Sequence, residues 1–363
     1  KIDNKVLNVI RIGIHQIKAL KTPLHAATSE TVDLARFVAG KSTTGFVNAI
    51  LRKIPLAVLP DLNPDDNDSL AVHFSHPEWI IESYSHLIQD RGELIDLLEA
   101  NNNGTKPDYV AWPGKSLVSE FDSIGAEIIE ITKYGFIAEI SPNKFKAVHE
   151  KRVGVQDRGS QVVAETFLAT ASSEKLRWLD MCAGPGGKAA LIYNFLHINR
   201  PHDEFMANEI SEHRAELVSQ VIPKNLVTVG PGQSLQGEYD RILLDAPCSG
   251  LGALRRRPES RWRKSPSDLK QLVSLQRDLL DSCARLLAQD GLLGYVTCSP
   301  HNSETRLQTL DFLHRHPNFK LLDIREYVDR ALTKNVQADG TLQLWPHKNQ
   351  SDAMYMALFI KNA

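Results

Sequence analysis

Strands and helices alternate along the chain from about residue 155 onward, and this alternation constrains the fold more than any other feature of the sequence. Apolar runs typical of strands, with helical spacing between them, lie at 176–182, 205–208, 242–245 and 292–298. Such alternation predicts an α/β fold with a mostly parallel, doubly wound sheet. Ligands bind at the carboxyl ends of the strands in sheets of this kind, so we expect a functional site there.

The chain upstream of this region has two other patterns. Apolar residues recur at helical spacing over 1–60, which predicts a small all-helical unit followed by a polar, acidic linker at 61–69. Mixed helical and strand patterns over 71–150 predict a small α+β module. We therefore divide the chain into 1–70, 71–150 and 151–363. Because the chain opens directly on a helical pattern, we expect that upstream residues are missing from it.

The cysteine usage and the charge balance limit the classes of function. None of the four cysteines belongs to a Cys-x-x-Cys pair and they are too sparse for a disulfide framework, so we expect no metal site and a reducing, cytoplasmic location. No apolar run approaches the roughly 20 residues of a membrane span. The net charge of -2 argues weakly against nucleic-acid binding by the whole surface, although a local basic patch remains compatible with it.

A glycine-rich turn at Asp180–Lys188 joins a predicted strand to a predicted helix. Glycines let the backbone approach a ligand closely, and a helix N-terminus offers free N–H groups. The turn lacks the Gly-Lys-Ser/Thr ending of a phosphate loop and the Gly-x-Gly-x-x-Gly of a dinucleotide site. Glu209 follows the next strand, where a carboxylate can accept hydrogen bonds from ribose hydroxyls. The pattern predicts a nucleoside cofactor without a pyrophosphate, the alternative being an ordinary turn without a ligand.

Two cysteines follow two other predicted strands. Cys248 lies in the segment 245–252, in which the ring of Pro247 fixes the backbone beside Asp245, and Cys298 ends the apolar strand 292–298. A single cysteine is more often a small buried apolar residue, and we keep that interpretation for Cys182 and Cys283. Two thiols at the carboxyl ends of strands in one sheet are harder to explain that way, so we predict thiol chemistry.

A basic segment follows the first of these cysteines directly. Its cationic residues are Arg255, Arg256, Arg257, Arg261, Arg263 and Lys264. Guanidinium groups contact phosphates, and Trp262 within the segment is able to stack on a base or to pack in the protein. The segment is predicted to bind RNA while one base is flipped out, the alternative being a solvated charged loop.

Together, the three segments 180–188, 245–252 and 295–300 resemble motifs of the RNA cytosine-5 methyltransferases of the Nop/Sun family. Segments upstream, at 25–35, 45–52 and 75–79, look like the bacterial RsmB branch, also called Sun or Fmu, whose members methylate small-subunit (16S) ribosomal RNA. The resemblance implies a Rossmann-like S-adenosylmethionine methyltransferase domain over 151–363. It also implies a NusB-like helical RNA-binding domain at the N-terminus and a small RNA-binding module between them.

The residues alone leave open which thiol attacks the substrate, because either could add to carbon 6 of cytosine. The resemblance implies that Cys298 attacks and that Cys248 helps to release the product. It implies that Asp245 hydrogen-bonds the cytosine, and that Lys188 orients Asp245 or the base. For Lys188 a surface lysine at the start of a helix remains the alternative.

The resemblance implies S-adenosyl-L-methionine as the cofactor. Its implied binding residues are Ala183, Gly184, Pro185, Gly186, Gly187, Lys188, Glu209, Arg214 and Asp245. One departure concerns the adenine, because the family usually has Gly-Asp-Gly-Arg where this chain has Gly230-Pro-Gly-Gln233. Since Pro231 has no side-chain acceptor, we expect the adenine to be held by backbone atoms or with lower affinity.

The combined prediction is a monomeric, cytoplasmic enzyme that acts on ribosomal RNA without a metal. Two alternatives remain open at this point. One is the same chemistry on transfer RNA. The other is a catalytically silent RNA-binding or ribosome-assembly factor, which Pro231 favours and which the joint presence of Lys188, Asp245, Cys248 and Cys298 argues against.

Overall fold

The computed structural model describes residues 2–58 and 60–362. The chain forms two compact units, Lys1–Leu62 and Asn63–Ala363. The boundary placed at residue 150 from the sequence stays a prediction.

The N-terminal unit is helical, as its apolar spacing predicts. Its helices are α1 (Asn4–Lys18), α2 (Leu24–Ala39) and α3 (Thr44–Lys53). Asp3 caps the first helix by accepting a hydrogen bond from the N–H of Lys5. A methyl group at Gly13 of α1 would come within 2.7 Å of Leu51 and 2.9 Å of Thr31, so glycine permits the close contact of the helices.

The second unit begins with three short helices and a small antiparallel sheet. Its helices are α4 (Asn67–Phe74), α5 (Glu78–Ser85) and α6 (Arg91–Asn102). The sheet has the strand order β2-β3-β1-β4, formed by β1 (Asp108–Ala111), β2 (Glu127–Ile128), β3 (Gly135–Ile137) and β4 (Val153–Val155), with α7 (Lys146–His149) before the last strand. An aromatic cluster of Tyr109, Phe121, Phe136 and Phe145 fills its core.

The larger sheet occupies the rest of the chain. Its parallel part is built from α8 (Arg158–Leu168), β5 (Arg177–Asp180), α9 (Gly187–Asn199), β6 (Glu204–Glu209), α10 (Glu212–Val218), β7 (Val227–Val229), β8 (Tyr239–Asp245), α11 (Ser260–Arg263), α12 (Pro266–Leu286) and β9 (Leu287–Thr297). The C-terminal part adds α13 (Arg306–Arg315), β10 (Phe319–Leu322), β11 (Leu342–Gln343), α14 (Pro346–Asn349) and β12 (Tyr355–Lys361).

The strand order of the larger sheet is β10-β12-β9-β8-β5-β6-β7, with β11 paired to β12. The strands from β9 to β7 in this order run parallel, whereas β12 and β10 join antiparallel. The predicted mostly parallel, doubly wound sheet is therefore confirmed. Among the described residues, no helix is long and apolar enough to cross a membrane.

Apolar side chains cover both faces of the larger sheet. Along β8, Leu243 packs into a core with α8 and α9, whereas Ile242 and Leu244 pack into a second core with α12 and α13. Burial of each such side chain stabilises the fold by about 1.5–3 kcal/mol. This two-sided core holds the strand ends rigidly, which a site assembled from several strands requires.

The carboxyl ends of three neighbouring strands meet at one edge of this sheet. β5 ends at Asp180, β8 ends at Asp245, and β9 ends at Thr297, directly before Cys298. β8 lies between β5 and β9 in the sheet. The topology therefore brings the glycine-rich turn and both cysteine segments to one place.

Candidate active site

The two cysteines that follow β8 and β9 face each other. The sulfur atoms of Cys248 and Cys298 are 3.3 Å apart, within hydrogen-bonding distance for two thiols. Both side chains are half-buried and line one cavity. The register that pairs Asp245 with Val296 aligns the two strand ends, so both loops leave the sheet side by side.

A buried ion pair lies beside the two thiols. The Nζ of Lys188 donates to Oδ2 of Asp245 across 2.8 Å, and the lysine side chain is only 10% exposed. Burial alone would lower the pKa of Lys188, but the charge and hydrogen bond of Asp245 raise it above its usual value. Lys188 is therefore not a surface lysine, and it stays cationic within the site.

The glycine-rich turn approaches the carboxylate of Glu209 closely. The N–H of Gly184 donates to Oε2 of Glu209 at 3.0 Å, and a methyl group at this position would lie 2.4 Å from that oxygen. Oε1 of Glu209 accepts from the N–H of Ser211 at 2.9 Å and from Arg214 at 2.5 Å. Since a carboxylate oxygen accepts two hydrogen bonds, Oε2 retains one free position.

The turn uses backbone conformations that suit glycine. Gly186 has a φ of +105°, in the left-handed region, and α9 begins at the next residue. The residues from Ala183 to Lys188 line a cleft of about 340 Å³, which Gln156 and Arg256 also line. The turn therefore presents its backbone to open space on this side.

A second cavity, of about 470 Å³, joins the thiols to Glu209. Other residues that line it are Cys182, Gly184, Asn208, Ile210, Arg214, Gln233, Asp245, Leu275 and Leu279. A carboxylate with a free acceptor position suits a ribose diol, and the apolar side chains suit an aromatic base. The residues therefore fit S-adenosyl-L-methionine, which Glu209 and the glycine-rich turn would hold.

The loop that contains Pro231 is fixed by its neighbours. The side-chain amide of Asn208 donates to the carbonyl of Gly230 at 3.1 Å, and that of Met181 at 3.2 Å. Gln233, two residues after the proline, lines the cavity. An amide side chain at that position was not assigned a role from the sequence, although it belongs to the stretch that departs from the family pattern.

Asp180, at the end of β5, was also not assigned a role from the sequence. Its side chain is buried beneath the turn. Burial, reinforced by the nearby carboxylate of Asp245, raises the pKa of Asp180 to about 7. The site thus holds a carboxyl group that titrates near neutral pH.

The basic segment divides into internal and exposed residues. Arg255, whose side chain is 7% exposed, bonds to the buried carboxylate of Asp157, and Arg256 bonds to the buried carboxylate of Asp352. Arg261 is buried and donates to the carbonyls of Ser75 and Asn101 and to the side chain of Asn102. The guanidinium groups of Arg255 and Arg261 are thus committed to contacts within the protein.

The remaining cations of the segment are accessible. Arg257 and Arg263 are exposed and Lys264 is half-buried, and Trp262 is 64% exposed. Arg257 and Lys264 line the cavity that contains the two thiols. The structure therefore leaves these residues, with the outer face of Arg256, free to meet a substrate.

Sequence reasoning missed the buried acid Glu304, six residues after Cys298. It is fully buried and accepts a hydrogen bond from the backbone of Ser249, the residue after Cys248. No local pattern marks this residue, because its partners lie 28 and 55 residues away in the sequence. Among the described residues, no cluster of three metal-ligating side chains occurs.

Two protein families match this chain, one at its N-terminus and one over its C-terminal half. A family described as "16S rRNA methyltransferase RsmB/F" matches residues 166–360, more than half of the chain, and the NusB family matches residues 1–55. The protein Rv1407 of Mycobacterium tuberculosis, provisionally named a methyltransferase, is 35% identical over 98% of this chain and 80% of its own length. The ribosomal RNA small subunit methyltransferase B of Vibrio cholerae is 30% identical over 97% of this chain and 80% of its own length.

Solved structures share the fold. PH0851 superposes with a TM-score of 0.80 at 21% identity and covers 98% of this chain and 82% of its own. NSun6 from Pyrococcus horikoshii, solved with SFG, gives a TM-score of 0.64 at 16% identity and covers 79% and 98%. The NusB-like start, the Rossmann-like methyltransferase sheet and the use of S-adenosyl-L-methionine, all predicted from the sequence, are confirmed. The chain therefore belongs to the 16S rRNA methyltransferase RsmB/F family.

Proposed function

We propose that this methyltransferase acts on carbon 5 of a cytosine in small-subunit ribosomal RNA and that Cys298 is its covalent catalyst. The observation that carries the proposal is the pair of thiols 3.3 Å apart beside the buried Lys188–Asp245 ion pair. The ribosomal substrate is supported by the names of the relatives from Vibrio cholerae and Bacillus subtilis.

Carbon 5 of cytosine is a poor nucleophile, and the thiol overcomes this. The sulfur of Cys298, as a thiolate, forms a bond to carbon 6, and the electrons of the carbon 5–carbon 6 double bond move to make carbon 5 electron-rich. Asp245 hydrogen-bonds the polar edge of the ring and so favours the addition. The cationic Lys188 stabilises the negative charge that develops on the ring during the addition. It also orients Asp245 through their hydrogen bond.

Carbon 5, now electron-rich, is then methylated. When bound, S-adenosyl-L-methionine supplies an electrophilic methyl group on a sulfonium, and Glu209 with the glycine-rich turn would hold it. A base then takes the proton from carbon 5, and the electrons of that C–H bond restore the ring double bond. The carbon 6–sulfur bond breaks with its electron pair returning to Cys298, while Cys248 assists this release.

The exposed cations of the basic segment contact the RNA backbone in this proposal. Arg257 and Lys264 line the cavity of the two thiols, Arg263 is exposed, and the side chain of Arg256 is 39% exposed. Phosphate contacts of this kind position a nucleic acid without reading its sequence. Within the basic segment, the proposal therefore assigns RNA contact to these four residues and not to Arg255 and Arg261, whose side chains bond within the protein.

The decisive experiment measures 5-methylcytosine by bisulfite sequencing after incubation of the protein and cofactor with unmodified small-subunit ribosomal RNA. The wild type should form it, Cys298→Ala should not, and Cys248→Ala should accumulate a covalent protein–RNA adduct visible on a denaturing gel. Cys283→Ala, a change to the buried cysteine of α12, should retain methyl transfer as the matched control. Turnover by Cys298→Ala would overturn the assignment of the nucleophile.

The same assay tests the choice of RNA. Methyl transfer to unmodified transfer RNA, with none to ribosomal RNA, would replace the proposed substrate. Calorimetry that detects no S-adenosyl-L-methionine binding at millimolar concentration would contradict a catalytic role and would favour an assembly factor.

A further inference from the structure

A buried carboxylate holds the loop that carries Cys248. Glu304 accepts hydrogen bonds from the N–H of Ser249 at 2.8 Å, from the hydroxyl of Ser249 at 2.5 Å and from the side-chain amide of Gln276 at 3.0 Å. Each of these donors is a neutral group. Ser249 directly follows Cys248, so the carboxyl group of Glu304 is bound to the residue next to the thiol.

The same network reaches both sides of Cys248 and the loop of Cys298. Gln276 on α12 also donates to the carbonyl of Pro247, at 2.9 Å. The hydroxyls of Ser249 and Ser299 are 3.1 Å apart, and each serine immediately follows one of the two cysteines. The hydroxyl of Ser249 has one proton, and both Oε2 of Glu304 and Oγ of Ser299 lie where they can accept it. The two thiols are therefore held in contact by a buried hydrogen-bond chain.

The charged groups around the two sulfurs differ in sign. Cys298 lies near the cations Lys188 and Arg256. Cys248 faces the Glu304 carboxylate. The hydrogen bond to Cys298, burial and, to a smaller extent, Glu304 raise the pKa of Cys248 well above its usual range.

The other titratable groups that face this network do not change the sign of the charge near either sulfur. Tyr295 on β9 donates its hydroxyl to the backbone carbonyl of Glu304 at 2.6 Å, and burial raises its pKa, so it stays neutral. Burial lowers the pKa of His301, which leaves this ring neutral at ordinary pH as well. Asp245 lines the same cavity, but its carboxylate is paired with Lys188.

We propose that Glu304 is a positioning residue that divides the work between the two cysteines, by holding Cys248 against Cys298 and keeping Cys248 as the thiol. Cys248 then donates an S–H···S hydrogen bond to Cys298. When the carbon 6–sulfur bond breaks, its electron pair returns to the Cys298 sulfur, and this hydrogen bond stabilises the departing thiolate while the proton stays on Cys248. The assignment of these steps rests on the proposed function.

The test is a pH titration of thiol alkylation, read for each cysteine by peptide mass spectrometry on the full chain. Cys248 is titrated in a Cys298→Ala background, with and without Glu304→Gln. Because a nearby like charge shifts a pKa by about 1–3 units, Glu304→Gln should lower the apparent pKa of Cys248 by about one pH unit or more. Ser249→Ala removes hydrogen bonds but keeps the charge, so it should not lower this pKa. In a Cys248→Ala background the Cys298 titration should move less.

An unchanged Cys248 titration in Glu304→Gln, with thermal unfolding as in the parent, would overturn the proposal. If Glu304→Gln does not fold, Ser249→Ala decides the matter through product release. This variant should accumulate the covalent RNA adduct at least about tenfold over the wild type, since a good positioning contact contributes about tenfold or more to a rate. Adduct levels equal to those of the wild type would contradict the proposed role of the Glu304 network in holding Cys248 against Cys298. The titration needs no RNA, so its failure is distinct from a failure of the proposed function.

Discussion

The loops that follow two neighbouring strands, β5 and β8, differ in how their residues find partners. In the glycine-rich turn after β5, both residues that the sequence pattern singled out lie at the site: Gly184 contacts Glu209 and Lys188, at the start of α9, contacts Asp245. In the basic segment after β8, six cations of similar chemistry have different fates. Arg261 is buried, whereas Arg263, two residues later, is exposed.

The difference reflects the reach of the groups involved. A glycine acts through its backbone, so its role follows from the strand, turn and helix around it. An arginine has a long, flexible side chain that bonds to whatever acceptor the fold brings near. Arg261 bonds to Asn102, 159 residues away, and Arg255 to Asp157, 98 residues away. Charge patterning alone therefore overestimates the number of cations available to a ligand.

The largest effect is expected at the turn, from Lys188→Met. The substitution removes the cation that is paired with Asp245 and leaves that carboxylate half-buried without its partner. We expect kcat/KM for methyl transfer to fall by about 10²–10⁴-fold, the usual contribution of a polar catalytic group. Steady-state kinetics with labelled cofactor measure this. Lys175→Met, which breaks an exposed pair with Glu204, is the matched control and should change kcat/KM by less than about twofold.

The next effect concerns the internal half of the basic segment. Arg261→Ala leaves the carbonyls of Ser75 and Asn101 without a charged donor, so we expect about 2–3 kcal/mol less free energy of unfolding. Chemical denaturation measures this. Arg263→Ala should stay within about 0.5 kcal/mol, because its side chain is exposed. Equal losses in the two variants would mean that the segment behaves as one surface loop.

A smaller effect is expected from the exposed half. The triple variant Arg257→Ala, Arg263→Ala, Lys264→Ala removes up to three phosphate contacts. The slope of log affinity against log salt should therefore flatten by about 2, at roughly 0.7–0.9 for each contact. Filter binding of ribosomal RNA at several salt concentrations gives the slope. A control that neutralises the exposed Lys175, Lys320 and Arg325 should keep the wild-type slope, and an unchanged slope in the test variant would favour a merely solvated loop.

The smallest effect is a pH dependence at the start of the turn. Because the pKa of Asp180 is raised to about 7, the folded protein binds this proton more tightly than the unfolded chain. Its contribution to stability is therefore complete below the usual Asp range and is lost as the pH rises through about 7. Asp180→Asn should show a smaller drop of Tm between pH 5 and pH 8 than the wild type. Asp65→Asn, in the exposed linker, should keep the wild-type profile.

Most of the fold follows from patterns within single segments. The strands predicted at 242–245 and 292–298 lie within a few residues of β8 and β9, because strongly apolar segments carry their own signal. Short edge strands do not carry such a signal. The strands β4 and β10 were not predicted, since their three or four residues show no clear alternation.

The site was predictable where chemistry follows strand topology. Asp245, Cys248 and Cys298 were placed at carboxyl ends of strands in one sheet, and parallel pairing of β8 with β9 brings such ends together. The ion pair of Lys188 with Asp245 also follows from strand topology, because the turn after β5 lies beside the end of β8. Glu304 was not predictable, because a buried acid becomes visible only through its partners on other elements.

The sequence by itself determined the sheet, the glycine-rich turn and the identity of the two thiols. These features depend on periodicity and on local backbone conformation, which neighbouring residues set. Only the tertiary structure decided that the thiols touch, that Glu304 lies behind one of them, and that Arg255 and Arg261 point inward. Hydrogen bonds and charges in the interior depend on groups far apart in the chain, so their pairing exists only once the core has formed.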